Sequence, residues 1–292
     1  MNANQYSNVS KLQQNVRTTE VTQIVKHYEA PHELQWCYMQ PQGRPCFNMG
    51  LMEEFHEFYT TAQNDLKTRT HNIRYRVLAS NVPGVFNLGG DLQLFKKMIL
   101  EQDLESLKKY ALICIEALYA RATMHKKGVT EISLVQGDAL GGGFESAIAA
   151  DVVIAETQSK FGLPDVLFNS FPGIGAYTFL SRKVGPSIAE RIILSGKLYS
   201  AEELHELGII DIIVDEDQGE SAVYSYISKA NRCNNTIDFL RKARNMHFPI
   251  NYGHLEEIAI SWAENAMRIS GRDLRMIDRL ISKQNSTTSH AA

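Results

Sequence analysis

Val135-Gln-Gly-Asp-Ala-Leu-Gly-Gly-Gly-Phe-Glu145-Ser-Ala-Ile-Ala-Ala150 is the stretch from which the rest of the chain can be read. The apolar run Ile132 to Val135 has the character of a short buried strand, and Phe144 to Ala150 that of an opening helix. Between them lie Gly137, Gly141, Gly142 and Gly143, so the backbone is free to take unusual angles and to approach a ligand closely. The first turn of a helix carries N–H groups without internal partners and a partial positive charge. Such a turn suits an oxyanion that develops during a reaction, with Glu145 one turn in as an acid or base. The same residues read equally well as a tight strand-to-helix turn followed by a surface glutamate.

A second turn of this kind lies upstream, in Asn81-Val-Pro-Gly-Val-Phe-Asn-Leu-Gly-Gly-Asp91-Leu92, after an expected strand from Arg74 to Ala79. Asp91 is placed to cap a helix whose apolar face runs through Leu92, Phe95, Met98 and Ile99. Taken together, the turns around Gly90 and Gly142 would offer two backbone N–H groups to one carbonyl oxygen. No Gly-Lys-Ser/Thr follows either turn, no GxGxxG sits in a βαβ context, and no GxSxG elbow occurs, which argues against a phosphate loop, a dinucleotide fold and a serine hydrolase. Downstream, Lys160-Phe-Gly-Leu-Pro-Asp165 puts a second carboxyl in the first turn after a proline. Asp165 and Glu145 near one polarised thioester would share proton removal and delivery. The alternative for Asp165 is a helix-start acid favoured by the dipole.

Leu34 to Met39 reads as a strand, Phe47 to Leu66 as a helix, and Leu104 to Lys126 as a helix closed by Gly128. After a strand at Asp151 to Ala155 come helices at Gly175 to Val184 and Ser187 to Ser195, a capping box at Ser200-Ala-Glu-Glu203, and a strand within Gly208 to Val214. From Gln218 onward only helical patterns remain, with Trp262, Met267, Met276 and Leu280 on their apolar faces and Asn285 to Ala292 expected to fray. The order predicts a mixed α/β (α+β) core at residues 31–214, a helical subdomain at 215–292, and a polar, mobile extension at 1–30 that ends in a short element around Val21 to Val25.

Composition narrows the class. At 292 residues, with 44% hydrophobic and 22% charged residues, the chain has the make-up of an ordinary soluble globular protein. A net charge of −3 gives no sign of a nucleic-acid binder, and no apolar run reaches the length that would insert into a membrane. Cys37, Cys46, Cys114 and Cys233 are scattered without a CxxC pair, and the histidines lack ligand spacing, so neither a disulfide framework nor a metal site is expected. A reducing cytoplasm is the expected setting. Lysine and arginine pairs such as Lys96-Lys97 and Arg182-Lys183 would suit an anionic carrier or be plain solvated faces.

Phe86-Asn-Leu-Gly-Gly-Asp91, Gly137-Asp-Ala-Leu-Gly-Gly-Gly-Phe-Glu145, Phe161-Gly-Leu-Pro-Asp165 and Phe171-Pro-Gly-Ile-Gly175 together resemble the crotonase (enoyl-CoA hydratase/isomerase) superfamily, in its order and spacing, over roughly residues 33–290. Within it the chain is most similar to the diffusible signal factor (DSF) synthases of the RpfF type, through its N-terminal extension, its Asn-Leu-Gly-Gly-Asp-Leu turn and the run Gly162 to Tyr177. The resemblance implies a spiral of ββα units closed by C-terminal helices that pack in a homotrimer. It implies an oxyanion hole at the N–H groups of Gly90 and Gly142, with catalytic carboxylates at Glu145 and Asp165. The family carries Glu at the second position, and a misplacement of about 1 Å costs about 100-fold in rate. An inward backbone, a bridging water, or a larger share of proton work for Glu145 would each compensate for the shorter Asp165. Trp262 and Leu280 are the expected wall of an acyl pocket, with core or trimer packing as the rival for each. The implied activity is dehydration of a 3-hydroxyacyl acyl carrier protein thioester, then thioester hydrolysis to a cis-2-unsaturated fatty acid used in quorum sensing. No cofactor is implied beyond the carrier, acyl carrier protein phosphopantetheine or CoA, and a cognate sensor protein is the implied regulatory partner. The alternatives are a generic enoyl-CoA hydratase or isomerase and a catalytically silent signalling partner of the same fold.

Overall fold

Strands belonging to two sheets alternate along the chain. The structure, a computed structural model, describes residues 22–68 and 72–288. Strands β1 (Ile24–Glu29), β2 (Leu34–Met39), β3 (Tyr75–Ser80), β5 (Thr130–Val135), β7 (Val152–Glu156) and β10 (Ile212–Val214) lie in that order in one sheet. Strands β4 (Val85–Asn87), β6 (Asp138–Leu140), β8 (Lys160–Gly162) and β9 (Leu198–Ser200) form the other. All neighbours run parallel except β1 with β2 and β8 with β9. Each repeat therefore lays one strand in the first sheet, the next in the second, and crosses back through helix. Those crossings are α2 (Leu92–Leu100) with α3 (Leu104–Ala122), then α4 (Gly142–Ile148), then α5 (Ala176–Val184) with α6 (Pro186–Ser195). Helix α1 (Met49–Thr68) precedes β3, and α7 (Ala201–Glu206) precedes β10. This is the expected ββα spiral.

The sequence explains why the sheet sits in the middle. All six residues of β5 are buried, as a parallel strand covered on both faces requires. On one face Phe55 of α1 and Leu107, Ile115 and Leu118 of α3 belong to the main core. On the other, Trp36, Val77, Ile132 and Leu134 pack with Val223 and Ile227 of α8 (Gly219–Arg232). The segment after Val214 thus supplies one side of the core before it continues as α9 (Asn234–His247), α10 (Tyr252–Ala266) and α11 (Gly271–Thr288). Asp91 caps α2 by accepting from Gln93 and Leu94 N–H, and Ser200 with Glu203 forms the capping box of α7.

Several boundaries differ from expectation. The sheet begins at β1, inside the segment assigned to the extension, because Ile24 is buried and the strand pairs with β2 over its full length. Residues 1–21, the rest of that extension, lie outside the described residues. Strand β6 was not anticipated, since three residues beside a glycine run carry no readable period. Helix α11 runs to Thr288 rather than fraying at Asn285, because buried Gln284 ties its last turns to the body; residues 289–292 lie outside the described residues.

Three fully buried charges brace α4 from behind. Arg76, Arg121 and Glu131 are each 0% exposed. Glu131 accepts from Arg76 at 3.1 Å, from Arg121 at 3.3 Å and from the Tyr59 hydroxyl at 3.1 Å. Arg121 also donates to the Ser146 carbonyl and, at 2.8 Å, to Ser133 Oγ, whose hydroxyl donates to the Ala147 carbonyl at 2.8 Å. The last carbonyls of a helix lack intrahelical partners, and here they are buried, so a cation and a hydroxyl satisfy them. Removing one member of such a buried network leaves its partner charged and dry, which costs about 3–5 kcal/mol. Glu131→Met, which strands Arg76 and Arg121 without their counter-charge, should therefore lower the unfolding free energy by about that amount in denaturant titration, whereas Lys197→Met, at an exposed ion pair, should leave the denaturation midpoint close to that of the wild type.

Candidate active site

Three adjacent strands of the second sheet, β4, β6 and β8, each release the chain at their carboxyl ends into a turn that carries a candidate site residue. Gly90 follows β4, Gly142 follows β6 and opens α4, and Asp165 follows β8 in a short 3-10 turn, Pro164–Phe168. Parallel strand order alone thus gathers sequence positions far apart into one crevice, at the strand ends where α/β folds place ligands.

The two glycine turns touch backbone to backbone. Gly89 has φ +86°, and a Cβ there would lie 2.7 Å from the Leu140 carbonyl and 3.0 Å from the Gly142 nitrogen. A Cβ on Gly143 would lie 2.0 Å from the Asn87 carbonyl, so only glycine allows the contact. The direction of each N–H follows from its peptide plane. The Gly89 carbonyl accepts from Phe47 N–H at 2.7 Å, and no cis peptide occurs among the described residues, so Gly90 N–H points the opposite way. The Gly141 carbonyl accepts from Glu145 N–H at 3.0 Å, which turns Gly142 N–H outward from the helix start. Asn87 Oδ1 accepts from Gly89 N–H at 2.8 Å, and the Tyr110 hydroxyl donates to the Phe47 carbonyl at 2.8 Å; both steady the first turn.

Glu145 is 3% exposed, and its Oε1 accepts from Ile174 N–H at 3.1 Å and Ala176 N–H at 2.8 Å. The Phe171-Pro-Gly-Ile-Gly175 motif is thus the cradle of this carboxyl. Burial, and then the negative charge of Asp165, push Glu145 up to about 8, against the pull of those N–H donors. Burial likewise pushes Asp165 up to about 6. Asp165 Oδ2 is buried without a hydrogen-bond partner among the described residues. Two carboxyls in mutual repulsion, one of them unpartnered, form an acid–base pair whose proton affinities belong to the pair.

Gly90, Gly142, Glu145 and Asp165 all line one narrow cavity of about 80 Å³. Its remaining wall is mostly apolar, Asp91 and Tyr110 apart, and draws on α2 and α3 for Phe95, Met98 and Leu107. Trp262 of α10 lines it too, stacked on Phe95 at 5.2 Å and 16°. Gly173 makes room for the indole, since a Cβ there would lie 2.3 Å from Trp262 Cγ. Leu280 does not line the cavity. It is half-buried on α11 and packs against the main core, because α11 lies behind the 3-10 turn and α2 rather than at the cavity wall. Sequence reasoning also missed Phe47, Tyr110 and Cys114 as wall residues; their helical or turn positions mark them as core, and nothing in their spacing separates core from cavity. Among the described residues no group of His, Cys, Asp and Glu is arranged to hold a metal, and no helix is long and apolar enough to cross a membrane.

Comparison with known proteins agrees with this geometry. The sequence profile of the enoyl-CoA hydratase/isomerase family matches residues 39–261. Mouse mitochondrial methylglutaconyl-CoA hydratase is 28% identical over 182 residues, 62% of this chain and 54% of that protein. The chain spans about half the length of the curated relatives it matches. Among solved structures, enoyl-CoA hydratase from Bacillus halodurans superposes with a TM-score of 0.76 at 19% identity, covering 88% of this chain and all (100%) of that one. Pseudomonas aeruginosa DspI superposes with a TM-score of 0.63 at 21% identity, covering 84% and 92%. At such identities the structural likeness speaks for the fold. With the profile matched across most of the chain, and the paired glycine turns and Glu145 meeting in one cavity, this protein belongs to the enoyl-CoA hydratase/isomerase family.

Proposed function

We propose that this protein dehydrates a 3-hydroxyacyl thioester carried by acyl carrier protein to the cis-2-enoyl thioester and then hydrolyses it, releasing a free cis-2-unsaturated fatty acid that serves as a cell-to-cell signal. The observation that carries the proposal is the meeting of two carboxyls of raised proton affinity and two outward N–H groups in one largely apolar cavity. The acyl oxygen accepts hydrogen bonds from Gly90 and Gly142 N–H, which stabilise the enolate formed as the C2 proton leaves. Each such donor is worth about 3 kcal/mol in the transition state. Near neutral pH the pair shares one proton, which the more strongly raised affinity of Glu145 places on Glu145. Asp165 then takes the C2 proton while Glu145 protonates the departing 3-hydroxyl as water. In the second step a water attacks the thioester carbon and gives a proton to Glu145, left ionised by the dehydration, the same two N–H groups hold the tetrahedral oxyanion, and on its collapse the carrier leaves as a thiol by taking the proton from Asp165. No metal or organic cofactor enters, and the carrier's phosphopantetheine arm is part of the substrate. The acyl tail lies against Phe95, Met98 and Trp262, where the flexible Met98 can give way to a longer chain.

The generic reading, hydration of a trans-2-enoyl-CoA, shares the oxyanion hole and both carboxyls, and the curated relatives named as CoA hydratases favour it. Homotrimer assembly and control by a cognate sensor protein belong to the same proposal as the signal synthase.

A dehydration that needs Asp165 ionised and Glu145 protonated has a bell-shaped kcat/KM profile with limbs near about 6 and 8. Glu145→Gln should lower turnover by about 10²- to 10⁴-fold with the fold intact, and near-wild-type turnover would remove Glu145 from the mechanism. The same variant has a stability signature. Glu145 titrates from 4.5 in the unfolded chain to about 8 when folded. Between those values the folded state keeps a proton the unfolded chain has released, so stability falls as pH rises through that window. Glu145→Gln should flatten this decline in thermal melts taken from pH 5 to 8. The decisive assay incubates the protein with a medium-chain 3-hydroxyacyl carrier protein and, separately, with the matching CoA ester. A free cis-2-enoic acid from the carrier substrate is the expected product, and a trans-enoyl thioester from CoA would replace the proposal with the generic hydratase.

A further inference from the structure

Helix α11 presents Leu274, Ile277, Ile281 and Gln284 at spacings of three, four and three, the pattern of a face packed on a core. Ile277 is 0% exposed and Gln284 only 4%. An amide in that last position is costly to bury unless its groups find partners, so its presence where leucine would pack points to a bond that matters. The partners are on the first glycine turn. Gln284 Nε2 donates to the Leu88 carbonyl at 3.2 Å and to the Gly90 carbonyl at 3.0 Å.

These two carbonyls belong to the peptide planes on either side of the Gly89–Gly90 peptide, whose N–H is the candidate oxyanion donor. The plane between two glycines is the one most easily flipped, since neither residue has a Cβ to resist it. Phe47 N–H holds that plane directly through the Gly89 carbonyl. Gln284 holds both neighbours, so a flip would have to break its bonds as well. Resting on the acyl-thioester reading above, we infer that Gln284 is a positioning residue for the oxyanion hole: its side-chain amide, delivered by the C-terminal helix, fixes the direction of Gly90 N–H. Helix α11 is itself pinned to the cavity-lining α2 by Lys96 and Asp278 at 2.5 Å and packs on the 3-10 turn that carries Asp165. One helix remote in sequence thus completes the geometry of the site.

The test compares full-length Gln284→Met, which keeps the length and removes the donors, with Ile277→Ala, which weakens the packing of the same helix and leaves the turn untouched. Gln284→Asn, whose amide is retracted by one methylene, serves if Gln284→Met folds poorly. The readouts are kcat, KM and the thioester C=O stretch of a bound 2,4-dienoyl thioester, offered on CoA and on acyl carrier protein, by Raman difference spectroscopy. The expected result is a fall in kcat of about 10- to 100-fold for Gln284→Met, short of the 10²- to 10³-fold typical of deleting a donor. KM should stay within about threefold, and the C=O stretch should move back toward its solution value, while Ile277→Ala keeps the wild-type stretch despite a lower melting temperature. An unchanged stretch in Gln284→Met, or an equal loss in Ile277→Ala, overturns the inference. If wild-type protein leaves the stretch unshifted on both carriers, the oxyanion-hole reading fails and takes this inference with it.

Discussion

The constraint on which the structure depends is the contact between two glycine turns with no side chain between them. A Cβ on Gly143 would lie 2.0 Å from the Asn87 carbonyl, and one on Gly89 3.0 Å from the Gly142 nitrogen. Because the turns touch, β4 and β6 sit side by side, α4 starts at the cavity, and Glu145 falls one turn behind the Gly142 N–H. Substituting any of these glycines is a packing problem before it is a chemical one.

Around that contact the fold separates charge by layer. Behind α4, Arg121 and Arg76 face Glu131, and the surplus hydrogen bonds of Arg121 close the helix end. In front of α4, Glu145 and Asp165 have no cation among the causes of their raised proton affinities. The protein thus pairs the buried charge that holds the helix and gives the cavity carboxyls no such cation among the causes of their shifts. A basic side chain in the cavity would stabilise both carboxylates in their ionised form and abolish the acid of the pair.

Much of this was legible in the sequence, for reasons that differ by residue. The glycine turns could be read because close backbone approach demands glycine in a recognisable place. Asp91 and Ser200 could be read because capping is local, and the structure shows both accepting the expected N–H bonds. The carboxyl of Glu145 was visible, but its cradle of Ile174 and Ala176 N–H groups needed the fold. Leu280 and Gln284 show the limit most clearly. They lie four residues apart on one helix; periodicity marks Leu280 as inward-facing without saying what it meets, and a polar Gln284 gives no sign that it is buried. The structure assigns the leucine to the core and the amide to the glycine turn. Strand β1 was legible only at its start, as the short element expected around Val21 to Val25, because its burial pattern, with one buried residue at the start, carries little alternation. Arg121 escaped because nothing along the chain distinguishes a buried arginine from a solvated one.

The adjacency of β4, β6 and β8 also works as a ruler. Neighbouring strands run about 4.8 Å apart. Two N–H donors that each sit about 2.9 Å from one oxygen can be no more than about 5.8 Å apart, and at ordinary lone-pair angles they come close to the strand spacing. Under the proposed function, the turns after β4 and β6, already in backbone contact, would need only this strand spacing to share one acyl oxygen, without any side chain to adjust it. The third strand carries Asp165 on the next turn along, so under that reading the sheet's hydrogen-bond spacing would limit where along an acyl chain a proton is taken relative to its carbonyl. Regiochemistry would thereby be tied to the dimensions of the β-sheet.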